Sequence, residues 1–95
     1  MKIINQKRLS KDRIVPFHAG NSYRMLLKSD GMGVGVTHTV IQPEAGKVMQ
    51  HYKNHLEACY CIKGRGILTD EEGMEFGIEP GVMYVLDKND KHWFE

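Results

Sequence analysis

The sequence has 95 residues, of which 13 are Lys or Arg and 12 are Asp or Glu, so the formal net charge is +1. This length predicts one domain spanning residues 1–95, and the near-neutral charge argues against a nucleic-acid partner, which goes with a basic excess or patch. The N-terminus lacks the apolar core of a signal peptide and no apolar stretch is as long as a membrane span, so we expect a cytoplasmic protein without a membrane partner.

The 10 glycines divide the sequence into many brief apolar runs, a pattern typical of short strands joined by tight turns. After a first apolar run at Ile3 and Ile4, Ser10 is a candidate N-cap for a single helical turn at residues 11–13. Alternating and β-branched residues then predict strands at residues 22–28, 34–41, 48–50, 57–62, 67–69, 75–78, 82–86 and 92–94. An all-β jelly roll or small barrel is therefore the expected architecture.

The two cysteines, Cys59 and Cys61, lie two positions apart within the predicted strand at residues 57–62. Side chains at this spacing point to the same face of one strand, which is poor geometry for a disulfide between them. We therefore expect free thiols that fill space in the core, as unpaired cysteines often do, and a reduced environment.

Glu57 begins the strongest predicted strand, and both faces of that strand are largely apolar. A carboxylate in apolar surroundings is costly unless it is paired or bound to a metal. A metal reached also by Tyr84 and His92 would supply a partner, and carboxylate, phenolate and imidazole ligands suit a divalent transition metal such as iron. The alternative is structural: a solvated carboxylate at a strand end, a core tyrosine and a histidine packed on an aromatic ring.

Two segments resemble the motifs of the cupin superfamily. The first, GKVMQHYKNHLEACYCIKG at residues 46–64, fits the motif from Glu57 onwards, although the two histidines before Glu57 are further apart than usual. The second covers residues 79–84 and has Tyr84 where the superfamily places a metal-binding histidine. Cupin-type sequences fold as a double-stranded β-helix barrel, which agrees with the predicted series of short strands.

The joint pattern resembles the ectoine synthase family more closely than cupins in general. The similar segments are HYKNHLEACYCIKGRG at residues 51–66, IEPGVMYVLDKNDKHWF at residues 78–94 and SYRMLLKSDGMG at residues 22–33, together about half of the chain. The resemblance implies a cytoplasmic, homodimeric, iron-dependent cupin. Because family members continue for several more strands, the barrel is expected to be incomplete at its C-terminal end.

The resemblance also implies roles for individual residues. It makes Glu57, Tyr84 and His92 the ligands of Fe(2+) or another divalent transition metal. It makes Tyr52 a catalytic residue that contacts the substrate beside this metal.

Two residues nearer the N-terminus are implied to hold the substrate. Arg24 corresponds to a residue that binds the substrate carboxylate, and Thr39 to one that contacts its acetamide group. For Arg24 the alternative is an ordinary surface charge on a strand.

The implied function is that of a carbon–oxygen hydro-lyase in the biosynthesis of ectoine, an osmoprotectant. The substrate would be N4-acetyl-L-2,4-diaminobutyrate, which is cyclised to ectoine with loss of water. Two alternatives stay open: a cupin module that binds a metal or small molecule without turnover, and a structural fragment whose open strand edge drives dimerisation.

Overall fold

The computed structural model describes residues 1–52 and 55–95, and in this part of the chain nine strands are joined by turns and four short 3-10 helices. Every strand pairing is antiparallel and no α-helix occurs in the described residues, so the all-β class predicted from the sequence is confirmed. Among the described helices none is long and apolar enough to cross a membrane. The chain divides into two compact units, Met1–Ala45 and Gly46–Glu95.

The first unit contains a three-stranded sheet of β1 (Ile14–Phe17), β2 (Gly20–Leu26) and β3 (Val36–Ile41), paired in that order. A two-residue loop joins β1 to β2, which is a favoured hairpin connection. No strand was predicted at β1, because it is only four residues long, contains Pro16 and follows a charged segment. Proline is tolerated here because β1 lies at the edge of the sheet.

The helical turn predicted at residues 11–13 is present as the 3-10 helix Lys11–Arg13, and Ser10 occupies its N-cap position as predicted. Ser10 makes no side-chain capping bond to the helix. Its hydroxyl instead hydrogen bonds with the Asp12 carboxylate and so lowers the pKa of that group. The other short helices are Gln6–Arg8, Lys28–Asp30 and Pro43–Ala45.

A bidentate ion pair links Arg13, the residue before β1, to Asp30 in the turn after β2. Arg13 donates from Nη1 and Nη2 to the two carboxylate oxygens of Asp30, each at 2.9 Å. The Leu27 backbone N–H donates to Asp30 Oδ2 at 2.8 Å, which ends β2 earlier than predicted. The Arg13 guanidinium and then the Leu27 N–H hold the pKa of Asp30 well below its usual range.

We expect Asp30→Asn to lower the melting temperature at pH 7, because it removes the anion from this pair. Folding lowers the pKa of Asp30, so the pair adds stability above its unfolded-state pKa of about 4. That stability is lost as the pH falls towards the lower pKa of the folded chain. Thermal unfolding between pH 7 and pH 2 therefore shows a difference between wild type and variant that shrinks below about pH 4.

The control is Glu44→Gln, which removes an exposed carboxylate from the same unit. Its melting temperature is expected to stay close to that of the wild type across this pH range. Equal losses in the two variants would show that the Arg13–Asp30 pair has no special role.

The second unit contains two antiparallel sheets. The larger has the strand order β4–β9–β6–β7, and the smaller pairs β5 with β8. The strands are β4 (Val48–Gln50), β5 (Glu57–Tyr60), β6 (Gly66–Thr69), β7 (Glu75–Ile78), β8 (Met83–Leu86) and β9 (His92–Phe94).

The strands predicted at residues 48–50, 75–78 and 92–94 are confirmed with the same bounds. The other predicted strands are present with ends that differ by one or two residues. Strand β5 ends at Tyr60 and not at residue 62, although Cys61 still exchanges backbone hydrogen bonds with its neighbours across the strand pair.

The core of the second unit is small. Its buried apolar side chains are Val48, Leu68, Ile78 and Leu86. Two polar residues are also buried: Thr69 and His92, the latter only 2% exposed. A buried histidine needs hydrogen-bond partners or a ligand, so the surroundings of His92 on β9 are a candidate functional site.

Candidate functional site

The pairing of β5 with β8 assembles three polar side chains. Glu57 and Cys59 point to the half-buried face of β5, whereas Ala58 and Tyr60 are exposed on the other face. The strand register sets Cys59 directly opposite Tyr84 of β8. Side chains in such positions contact each other, so Glu57, Cys59 and Tyr84 form one cluster.

One oxygen of the Glu57 carboxylate accepts a hydrogen bond and the other does not. The Cys59 thiol donates a hydrogen bond to Glu57 Oε1 at 3.3 Å. The second oxygen, Oε2, is buried and has no hydrogen-bond partner among the described residues. A buried carboxylate oxygen without a partner costs free energy, so this atom marks a position for a cation or a donor.

His92 brings an imidazole to the same region from β9. Its ring centroid lies 6.2 Å from that of Tyr84. Nδ1 is 3.0 Å from the Asp90 carbonyl oxygen, which can only accept, so Nδ1 carries the proton in the neutral ring. The other nitrogen, Nε2, lies 3.1 Å from the side-chain amide of Gln50, the residue opposite His92 in the register of β4 and β9. With the proton on Nδ1, Nε2 accepts, so the Gln50 amide is oriented with its nitrogen as the donor. A backbone carbonyl on Nδ1 is typical of histidines that bind a metal through Nε2.

Tyr52 lies beside this histidine and is held by the loop between β8 and β9. Its ring is 4.7 Å from the ring of His55 and 6.4 Å from that of His92, measured between centroids. Asn89 donates from Nδ2 to the backbone carbonyls of Tyr52 and His55, at 2.9 and 3.0 Å. Asn89 has a φ of 54°, a left-handed conformation that Asn adopts more readily than most residues.

Burial raises the pKa values of the phenols and the thiol of the site further above neutral pH. Burial raises the pKa of Tyr52, and the nearby Glu57 and Cys59 raise it further. Burial raises the pKa of Cys59 to about 11. For Tyr84, burial and then the hydrogen bond with Cys59 raise the pKa well above its ordinary value. All three groups are therefore neutral hydrogen-bond donors, and Tyr84 loses its proton only if a cation stabilises the phenolate.

The predicted substrate-binding residues lie in the first unit. Arg24 on β2 and Thr39 on β3 are both exposed. The register pairs Ser22 with Thr39 and Arg24 with Thr37, so Arg24 and Thr39 are diagonal neighbours on one face of the sheet. The structure thus brings the two together, and their roles stay predictions.

The structure also brings the predicted metal ligands near one another without making a cluster of the usual ligand types. Within residues 1–52 and 55–95, no three side chains of His, Cys, Asp or Glu are grouped so as to hold a metal ion. The predicted set includes a phenol: Tyr84 lies opposite Cys59, which donates to Glu57, and beside His92. Whether these three bind one ion stays a prediction.

Three residues of the site were missed by sequence reasoning. Cys59 is a free thiol as predicted, but it also contacts the site and does more than fill space. Its spacing of two from Glu57 was a usable signal. Asn89 lies in a charged loop between two predicted strands, where an Asn indicates a turn position with a left-handed backbone. For Gln50 no signal exists, because its contact with His92 depends on the pairing of β4 with β9.

We expect Glu57→Leu to raise the free energy of unfolding of the metal-free chain by about 1 kcal/mol, because it removes a buried oxygen that has no partner. The control is Glu75→Leu, which replaces an exposed carboxylate on β7 and is expected to change stability by less than about 0.5 kcal/mol. Urea denaturation in the presence of a chelator measures both. A loss of stability in Glu57→Leu would show that the carboxylate is satisfied without a ligand.

Comparison with known proteins gives a consistent result. The ectoine synthase family matches residues 1–95. The chain is 47% identical over 87 residues to L-ectoine synthase of Hyphomonas neptunium, an alignment covering 90% of this chain and 64% of the relative. It is 49% identical over 73 residues to L-ectoine synthase of Bordetella petrii, covering 76% of this chain and 54% of the relative. The chain therefore spans about half to two thirds of the length of these relatives.

A solved structure shows the same similarity in three dimensions. The crystal structure of ectoine synthase from P. lautus matches with a TM-score of 0.92 and 35% sequence identity. The match covers 100% of this chain and 69% of that chain. The prediction of a cupin-type fold is thereby confirmed.

Proposed function

Because the chain belongs to the ectoine synthase family, we propose that it is a lyase that cyclises N4-acetyl-L-2,4-diaminobutyrate to ectoine with loss of water. The observation that carries the proposal is the buried Oε2 of Glu57, which lacks a partner in the described chain. It lies in the same cluster as Tyr84, next to the buried His92. The protein acts as a cytoplasmic homodimer in osmoprotection.

The ligands of a divalent transition metal, Fe(2+), are Glu57, Tyr84 and His92. The donors fit such an ion: a carboxylate oxygen without a partner, a phenol oxygen and an imidazole whose Nδ1 is fixed by a backbone carbonyl. When bound, the ion supplies a Lewis acid that polarises the acetamide carbonyl of the substrate.

The reaction joins the free α-amine of the substrate to the carbon of its acetamide group. One carbon–nitrogen bond forms, and the carbonyl oxygen leaves as water with two protons that the attacking nitrogen gives up. Both groups belong to one substrate molecule, so the protein contributes by holding that molecule in a conformation in which amine and carbonyl are close. The six-membered ring of ectoine results.

Tyr52 acts on the departing oxygen as a donor. Its raised pKa keeps the phenol protonated at neutral pH, so it can donate to the acetamide oxygen but cannot accept a proton from the amine. The hydrogen bond from Asn89 to the Tyr52 carbonyl fixes the backbone at this residue. Tyr52 therefore orients the oxygen that becomes water by donating a hydrogen bond to it.

Arg24 and Thr39, both in the first unit, are the proposed substrate-binding residues. A guanidinium binds a carboxylate through paired, charge-assisted hydrogen bonds, which suits Arg24 to the α-carboxylate. Thr39 provides a hydroxyl on the same face of the sheet for the acetamide. Both assignments rest on family resemblance and on this shared face.

The proposal predicts that turnover depends on the ligand residues. The chain is loaded anaerobically with ferrous iron and incubated with N4-acetyl-L-2,4-diaminobutyrate, and ectoine is measured by chromatography. We expect Glu57→Ala and Tyr84→Phe to lower turnover by about 100-fold or more, because each removes a direct ligand. The matched control is Tyr60→Phe, which removes a hydroxyl from the exposed face of β5 and is expected to leave turnover unchanged.

The outcomes separate the proposal from its alternative. Ectoine formed by the wild type and Tyr60→Phe, but not by Glu57→Ala or chelated protein, supports the lyase. Metal bound without product would favour a binding module that does not turn over. Turnover unchanged in Tyr84→Phe would contradict the ligand set.

A further inference from the structure

We propose that Cys59 is a positioning residue, whose thiol orients Glu57 and Tyr84 so that one carboxylate oxygen stays available for the metal. The proposal rests on the ligand set given under the proposed function. It adds a residue that touches neither substrate nor metal and acts through the two ligands on either side of it.

The first support is that Cys59 forms a hydrogen bond with only one of the two carboxylate oxygens of Glu57. A carboxylate only accepts, so the contact of 3.3 Å between Sγ and Oε1 is a hydrogen bond that the thiol donates. This bond engages Oε1 only. The other oxygen, Oε2, is buried and has no hydrogen-bond partner among the described residues. A carboxylate tied at one oxygen loses its rotational freedom, so Oε2 is held in one place before any ligand arrives.

The second support is the place of Cys59 between the two strands. It lies two residues after Glu57 on the same face of β5, and the register sets it opposite Tyr84 of β8. This register places the Tyr84 side chain next to the thiol. Because a thiol has both a donor and an acceptor, Cys59 can hold the phenol and the carboxylate at once.

The other cysteine has none of these contacts. Cys61 Sγ lies 3.6 Å from the Lys63 carbonyl oxygen and 3.8 Å from that of Gly64. Within the described chain it makes no recorded hydrogen bond to Glu57 or Tyr84. Cys61 therefore provides a matched control: the same residue type, two positions away, outside the cluster.

Three variants test the proposal. Cys59→Val keeps a similar shape without a donor, Cys59→Ser keeps a donor, and Cys61→Val is the control. Metal affinity is measured with Fe(2+) and Co(2+) against a chromophoric chelator. After oxidation of the bound iron, the visible charge-transfer band from tyrosinate to Fe(3+) reports the Tyr84 ligand. Melting temperatures of the metal-free variants establish that each is folded.

We expect Cys59→Val to weaken metal binding by about 10-fold or more and to shift the tyrosinate band, because outer partners of metal ligands have effects of this size. Cys59→Ser is expected to stay close to the wild type, since its hydroxyl replaces the thiol donor. Cys61→Val is expected to leave affinity and spectrum unchanged.

Several results would overturn the proposal. Wild-type affinity and an unshifted band in Cys59→Val would do so, and so would an equal loss in Cys59→Ser and Cys59→Val. A thiolate-to-Co(2+) band in the wild type that Cys59→Ser abolishes would show Cys59 to be a ligand and not a positioning residue. Absence of metal binding by the wild type would refute the proposed ligand set, and this proposal with it.

Discussion

The buried carboxylate of Glu57 is the constraint on which the site depends. The fold places this group where Oε1 accepts from the Cys59 thiol and Oε2 meets no partner in the described chain. Natural structures leave few buried polar atoms unpaired, and those that persist often mark strain or a missing ligand. A cation at Oε2 would offset this cost, which is the basis of the proposed metal site.

The neighbours of Glu57 are arranged by three strand pairings within the second unit. Strands β5 and β8 set Cys59 against Tyr84, strands β4 and β9 set Gln50 against His92, and strands β6 and β9 join the larger sheet. Burial keeps the phenol protons in place by raising the pKa of Tyr52 and of Tyr84. Tyr52 is thus suited to donate a hydrogen bond, whereas Tyr84 requires a cation before it gives up its proton.

Sequence reasoning recovered most strands, because glycines and alternating apolar residues mark them directly, as in the turn-bounded β7 and β9. It missed β1, where Pro16 and nearby charges mask a short edge strand. It identified Glu57 because a carboxylate in an apolar strand is anomalous at the level of sequence. Sequence reasoning did not predict the contacts that support the site, namely those of Cys59 with Tyr84 and of Gln50 with His92. These contacts depend on strand register, which the pattern within a single strand does not specify.

The most direct test of this account is an anaerobic titration of the metal-free chain with Fe(2+), monitored by tyrosinate difference absorbance and by proton release. We predict saturation at about one ion per chain, with a phenol proton released on binding and neither signal in Glu57→Ala. Binding that does not saturate, or that Glu57→Ala leaves unchanged, would contradict the claim that the unpartnered oxygen of Glu57 exists to hold a metal.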